Sequence, residues 1–184
     1  MEETEYQKHY RTVVRDGLQT KFNFKNKHLI PKMSKIIVSM GLAVASNDKQ
    51  LLQYCIGDLE IITGQKPYVT KATKSISNFK LREDQQIGAM VTLRGKRMYD
   101  FMFKLIHICT PRVPDFRGLK RKCDGRGNFS MGLKDQTVFP EVNLDKMKKS
   151  QGMNITFVTT ANTDEECVEF LEMMGMPFKK KTGN

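Results

Sequence analysis

The stretch IGAMVTLRGKRMYDFMFKLIHIC, residues 87–109, is the clearest indicator of architecture, because its apolar residues change from the period of a strand to that of a helix. Over the first positions apolar side chains alternate with mostly small or polar ones, which predicts a strand with one buried face. The buried set is Ile87, Ala89, Val91 and Leu93. From 96 to 109 the spacing becomes helical, and the predicted helix ends before Pro111. Its inward set is Met98, Phe101, Leu105 and Ile108.

The same two periods recur along the rest of the chain. Helices are expected at 3–22, 46–64 and 163–175. The second has three N-cap candidates at its start: Ser46, Asn47 and Asp48. The last starts on a capping box, Thr163 with Glu166 three residues later. Strands are expected at 36–41, 67–70, 128–133, 137–139 and 155–160.

This interleaving of strands and helices predicts one α+β domain over residues 1–184, with helices packed on one face of the sheet. The other face stays exposed and presents polar side chains, among them Ser39, Thr92 and Arg94. With 39% hydrophobic residues the chain can build a substantial core.

Basic residues are in clear excess. Thirty-one Lys and Arg against 20 Asp and Glu give a formal net charge of +11, which favours a polyanionic partner. The segment KATKSISNFKLR, residues 71–82, contains four cations and no acid. The four basic segments, which we expect to surround the exposed sheet face, are 25–35, 71–82, 112–126 and 179–181.

Catalytic and metal-binding patterns are missing from the sequence. The three histidines, His9, His28 and His107, are scattered, and His107 is expected to be a packed structural imidazole. Cys123 follows two cations that could lower its pKa, but no histidine is near it in sequence. The four cysteines lack metal-ligand spacing, so no metal or cofactor is expected. The run DGRGN, 124–128, matches a phosphate-binding motif only weakly, and a sharp turn is the better interpretation.

No apolar run is long enough to cross a bilayer, and the first residues do not resemble a signal peptide. We therefore expect a non-enzymatic protein with no membrane partner that stays in the compartment where it is made, with reduced thiols.

Hydroxyl and amide groups on a sheet, flanked by cationic loops, suit folded RNA. The signature of RNA-recognition domains is missing, and no Phe/Tyr pair obviously lies on the outward face. Structured RNA is therefore a better candidate than stacked single strands. A general basic RNA-binding protein, an RNA chaperone or a DNA-binding protein would also explain the charge.

Several short blocks occur together in a recognisable order. They are Ser39-Met40-Gly41, GQKP at 64–67, VTLRG at 91–95, PDFRGL at 114–119, DGRGNFSMG at 124–132, FPE at 139–141 and DEE at 164–166. In this order and at this spacing, the chain resembles the bacterial-type large-subunit ribosomal protein L five family, whose members carry 5S rRNA. The resemblance covers nearly the whole chain.

The resemblance implies an antiparallel sheet that holds 5S rRNA and helps attach it in the central protuberance, among large-subunit rRNA and neighbouring ribosomal proteins. The implied 5S rRNA contacts are Ser39, Gln65, Thr92 and Arg94. The implied contacts to peptidyl-site tRNA are Lys71, Thr73, Lys74 and Ser75. A region within 110–150 would touch a protein in the head of the small subunit. The implied location is the ribosome, in a bacterial cytoplasm or an organelle.

The chain departs from that family pattern at a few positions. Ser39 stands where many relatives carry asparagine, and Thr73 where another basic residue is usual. Residues 83–86 are more acidic and polar than expected, and Cys123 replaces a frequent aromatic residue. The first two departures would each remove part of an implied RNA contact.

Overall fold

A computed structural model describes residues 4–42, 49–143 and 149–179 of the 184-residue chain. Within these residues five strands form an open antiparallel sheet in the order β2-β3-β1-β5-β4. The strands are β1 Met33–Gly41, β2 Tyr68–Lys71, β3 Gln86–Leu93, β4 Asn128–Leu133 and β5 Met153–Thr159. The fold is therefore α+β, as the sequence predicts.

The helices lie before, between and after these strands. They are α1 Glu5–His9, α2 Arg15–Phe22, α3 Lys49–Thr63, α4 Gly95–Lys104 and α5 Asp164–Met173. A π-helical turn, Tyr10–Val14, joins α1 and α2 into one segment, and a second, Leu105–Cys109, extends α4. The N-cap candidates at 46–48 lie outside the described residues.

The chain divides into two compact units. The first unit comprises Met1–Ile36, Leu93–Met131 and Thr156–Asn184. The second unit comprises Ile37–Thr92 and Gly132–Ile155. The expectation of a single domain over residues 1–184 stays a prediction.

Aromatic side chains fill the core of the first unit. The Tyr10 and Phe170 rings meet edge to face with centroids 5.9 Å apart, and the Tyr10 hydroxyl donates to the Pro31 carbonyl oxygen at 3.0 Å. Gly17 lies where α2 approaches this core, since an added Cβ would stand 3.3 Å from Met173 Sδ. A small residue inside the helix therefore allows close packing.

Helix α3 supplies the core of the second unit through one apolar stripe, as its spacing predicts. That stripe is Leu52, Cys55, Leu59 and Ile62, all buried. The strands bury alternate residues, and in β3 these include Ala89, Val91 and Leu93. Ile87, assigned to the same set, is only half-buried.

Two predictions from apolar spacing are wrong. Residues 137–139 do not form a strand, because Gln136–Val138 is a 3₁₀ turn in which the Asp135 carboxylate accepts from the Thr137 amide at 3.0 Å. Ile108 is 40% exposed instead of buried, while Ile106 and Cys109 are buried. The π-helical turn explains this, because one extra residue per turn rotates the apolar set away from a simple helical register.

His107 lies on the same π-helical turn and is exposed, so the expectation of a packed imidazole is also wrong. It is held in place nevertheless, because its Nε2 hydrogen-bonds the Tyr6 hydroxyl at 2.9 Å. Its role here is structural, at the surface of the first unit.

The turn before β4 yields a stability prediction. Gly125 and Gly127 both have positive φ, +82° and +72°. An alanine Cβ at Gly127 would stand 2.4 Å from the Ala161 carbonyl oxygen, whereas at Gly125 it would meet nothing within 4 Å. We expect Gly125→Ala to lower the free energy of unfolding by about 1–2 kcal/mol through backbone strain alone. Gly127→Ala should lower it by about 1–3 kcal/mol more, because overpacking is added to the strain.

Urea denaturation of the full chain and of both variants measures the two values. Equal losses for Gly125→Ala and Gly127→Ala would show that the Ala161 backbone does not confine this turn.

Candidate nucleic-acid interface

The outward face of the sheet in the second unit carries polar side chains. Ser39 lies on β1 between buried Val38 and Met40, and Thr92 lies on β3 between buried Val91 and Leu93. Because β1 and β3 are neighbours, this alternation puts the two hydroxyls on the same face. Both are half-buried.

Gln65 is tied to this face by its amide. Its Nε2 donates to the Thr92 carbonyl oxygen at 3.3 Å, and its own backbone carbonyl oxygen accepts from the Thr63 hydroxyl at 3.2 Å. Gln65 lies two residues after Thr63, the last residue of α3, with Gly64 between them. The structure therefore brings Gln65 and Thr92 into direct contact.

Arg94 belongs to the first unit and follows Thr92 by two residues along the chain. It is exposed and extended, with φ −141° and ψ 162°, and it immediately precedes α4. An arginine guanidinium stays charged and donates in a planar fork, which matches the oxygens of a phosphate.

We define the cationic loop as residues 71–85, from the last residue of β2 to the residue before β3. Its base is closed by backbone bonds, from the Ala72 amide to the Gln85 oxygen at 2.9 Å and from the Asp84 amide to the Ala72 oxygen at 3.0 Å. The Ser75 hydroxyl accepts from the Glu83 amide at 2.9 Å. The loop therefore has an ordered backbone within the second unit.

The predicted tRNA-contacting residues lie together on one limb of this loop. Lys71, Thr73, Lys74 and Ser75 are exposed, whereas Ala72 between them is buried. Lys71 Nζ lies 3.7 Å from an Asp84 carboxylate oxygen, but both side chains are largely exposed, so this pair contributes little to stability.

The basic segment 112–126 belongs to the first unit, and one of its cations is engaged there. The Arg121 guanidinium pairs with the Glu172 carboxylate, donates to the Lys179 carbonyl oxygen at 3.1 Å and stacks 5.7 Å from the Phe178 ring centroid. It therefore anchors the chain after α5. The segment 25–35 also lies in the first unit, and Lys180 and Lys181 lie outside the described residues.

The DGRGN run forms the sharp turn expected from its glycines. The Asp164 carboxylate accepts from the Gly125 amide at 3.0 Å and from the Gly127 amide at 3.2 Å. These amides are the donors that a phosphate cradle would need. Because a carboxylate of the protein already holds them, the run is a structural turn.

Catalytic and metal sites remain without support in the parts of the chain that the structure describes. No group of three or more His, Cys, Asp or Glu residues there could hold a metal ion. Burial raises the pKa of the Cys123 thiol, against the expectation that nearby cations could lower it. No described helix has the length and apolar composition needed to cross a membrane.

Sequence reasoning missed two exposed aromatic residues in the second unit. Tyr68 pairs directly with Met90 and so shares the outward face of the sheet, at its edge. Phe79 lies in the cationic loop and is 73% exposed. The sequence signal for Phe79 is its position, since it is the only aromatic residue in a run of cations.

The fold and the surface define a class of protein, a basic α+β protein that presents polar groups on an open sheet beside an ordered cationic loop. Two family models match the chain: "Ribosomal protein L5" over residues 26–82, and the model of the C-terminus of the same ribosomal family over residues 86–178. The chain belongs to the ribosomal protein L5 family, as the sequence blocks indicate. This family is structural and has no enzymatic activity.

Curated relatives named "Large ribosomal subunit protein uL5" agree with this assignment. The chain is 55% identical to that of Protochlamydia amoebophila over 172 residues, which cover 94% of this chain and 93% of the relative. It is 58% identical to that of Chlamydia abortus over 171 residues, covering 93% and 95%. It is 57% identical to that of Chlamydia pneumoniae over 173 residues, covering 94% and 96%.

The Asp124 carboxylate should titrate at unusually low pH. Hydrogen bonds from the Asn128 side chain, then from the Asn128 and Arg126 amides, lower its pKa to about 2. Because the folded-state pKa lies below the unfolded one, the stabilisation is present above the unfolded value and is lost as the pH falls toward 2. Carboxyl-carbon NMR titration measures the midpoint, and Asn128→Ala should raise it. A midpoint near the ordinary aspartate value of about 3.9 would contradict the turn geometry.

The Cys123 thiol should alkylate slowly near neutral pH, because its raised pKa leaves little thiolate. Iodoacetamide labelling followed by mass spectrometry measures the rate, with Cys123→Ser to assign the label and the unfolded chain as the reference. Labelling at pH 7 as fast as in the unfolded chain would contradict this expectation and reopen a thiol-dependent activity.

Proposed function

We propose that this chain is a structural component of the large ribosomal subunit that binds 5S rRNA and contacts peptidyl-site tRNA. The observation that carries the proposal is the Gln65 amide held against the Thr92 carbonyl oxygen on an open sheet face, in the unit that also bears the ordered cationic loop. The sheet face and the cationic loop are two polar surfaces of different character, and each suits a different RNA.

The first surface consists of Ser39, Gln65 and Thr92, with Arg94 two residues further along the chain. Rigid hydroxyl and amide groups on strands can pair with base edges or ribose 2′-hydroxyls and thereby fix the register of a folded RNA. Arg94 adds a charge-assisted contact to a phosphate. We assign 5S rRNA to this surface, and the family membership supports that assignment.

The second surface is the cationic loop, where Lys71, Thr73, Lys74 and Ser75 would contact the elbow of peptidyl-site tRNA. Its lysines act through phosphate contacts and counterion release, so affinity should fall with salt. The Ser75 hydroxyl accepts from the Glu83 amide and so helps to order the loop, and its own O–H can still donate to a phosphate oxygen. Thr73 offers no charge, and we expect one phosphate contact fewer there than in a basic relative.

The wider assembly follows from the same proposal. The chain would help attach 5S rRNA in the central protuberance, beside large-subunit rRNA and neighbouring proteins, and residues within 110–150 would reach a small-subunit head protein. It would act in the ribosomes of a bacterial cytoplasm, as the names and sources of the curated relatives suggest.

Two substitutions should distinguish the roles of the two surfaces in tRNA binding and in 5S rRNA binding. Lys74→Ala should weaken tRNA binding to ribosomes carrying the variant and reduce its salt slope by about one phosphate contact, while 5S rRNA binding stays nearly unchanged. Arg94→Ala should weaken 5S rRNA binding by about 1–3 kcal/mol as a charge-assisted hydrogen bond is lost. Filter binding for tRNA and gel shift for 5S rRNA measure the two effects.

Lys8→Ala is the matched control, because it removes one exposed cation from α1 that belongs to neither group of proposed contact residues. Competition of labelled 5S rRNA with tRNA and random duplex tests specificity. If random duplex competes as well as 5S rRNA, or if Lys74→Ala and Arg94→Ala weaken 5S rRNA binding equally, the chain is a general RNA binder or chaperone and the proposal fails.

A further inference from the structure

The tip of the cationic loop is a rigid turn. Ile76 and Leu81 form an isolated antiparallel bridge, with the Ile76 amide 3.0 Å from the Leu81 oxygen and the Leu81 amide 3.1 Å from the Ile76 oxygen. Between them Ser77–Phe79 forms a 3₁₀ turn that the Lys80 amide closes on the Ser77 oxygen at 3.0 Å. The backbone at the tip is therefore held by three hydrogen bonds of its own.

This rigid turn presents apolar side chains to solvent. Phe79 is 73% exposed and Ile76 is 44% exposed. One exposed apolar residue is ordinary on a protein surface. Here, however, the phenyl ring stands on an ordered turn, which lowers the conformational entropy that a contact would cost.

Three cations lie within five residues of Phe79 in the sequence. Lys80 follows Phe79 directly, with φ +53° in the left-handed region, and Arg82 and Lys74 lie within five residues of it. An aromatic ring beside positive charges is the combination with which proteins bind unpaired nucleotides, since the ring stacks on a base and the cations meet the phosphates. A purely apolar protein partner would not use these charges.

We propose that Phe79 is a base-stacking residue whose ring packs on an unpaired nucleobase of the tRNA. This inference rests on the proposed tRNA contact of the cationic loop and adds the group that the ring recognises. The lysines give affinity independent of sequence, and Phe79 restricts binding to a place where a base is unpaired.

The test compares ribosomes that carry the full-length chain with Phe79→Ala, Phe79→Leu or Phe79→Tyr. Loss of one stacked base should weaken tRNA binding by roughly 5- to 100-fold in Phe79→Ala and Phe79→Leu, while Phe79→Tyr stays near the wild-type affinity. Ile61→Ala is the matched control, since Ile61 is 54% exposed on α3 and should have no effect. Thermal unfolding of each free variant checks that its fold is intact.

The outcomes separate the inference from the proposed function. If Lys74→Ala weakens tRNA binding but Phe79→Ala does not, the tRNA contact stands and base stacking is excluded. If Phe79→Leu binds as well as wild type, the site needs only an apolar side chain, as for a protein partner, and stacking is again excluded. If neither Lys74→Ala nor Phe79→Ala changes tRNA binding, both the contact and the inference fail.

Tryptophan fluorescence can also test the inference, because the chain contains no tryptophan of its own. Phe79→Trp places a single indole at the tip, and stacking on a base should reduce its fluorescence when the full-length chain is titrated with tRNA. Ile61→Trp should keep its emission under the same conditions. Binding of labelled tRNA, followed by anisotropy, without loss of emission from the Phe79→Trp variant would overturn the stacking inference.

Discussion

The sheet of the second unit depends on a constraint of space at Gly88. A Cβ there would stand 2.8 Å from both the Met40 carbonyl oxygen and the Thr70 hydroxyl, so only glycine lets the strands on either side approach β3 this closely. This close approach lies where Thr70 pairs with Gly88. A slip of one residue would turn Thr92 to the buried face, so Gly88 helps to keep the polar side chains on the outward face.

The pairing of β2 with β3 changes register just before the cationic loop begins. Thr70 pairs with Gly88 but Lys71 pairs with Gln86, which leaves one extra residue on β3. Such bulges bend a strand and redirect its side chains. Near the end of the loop, the backbone amides of two acidic residues hold its base: the Asp84 amide donates to the Ala72 carbonyl oxygen, and the Glu83 amide donates to the Ser75 hydroxyl.

Apolar periodicity was enough to predict the strands and helices that carry the candidate interface, because a period of two or of 3.6 directly records which face is buried. Prediction from apolar periodicity failed where the backbone is neither a regular strand nor a regular α-helix. The π-helical turn Leu105–Cys109 exposes Ile108, and the Asp135 side chain closes a turn where a strand was expected. The contact of Gln65 with Thr92 could not be predicted, because it joins residues 27 positions apart.

Formal charge and charge available to RNA are different quantities in this chain. Arg121 contributes to the net charge of +11, yet its guanidinium is half-buried against Glu172 and Phe178 within the first unit. Lys21 is likewise paired, with Glu169. A cation held against the folded chain by its partner must give up that partner to reach a phosphate, so it contributes less to counterion release than the largely exposed Lys71 beside Asp84. Under the proposed function, the cations expected to contact RNA phosphates are those on ordered backbone with exposed side chains, and Lys74 on the cationic loop meets both conditions.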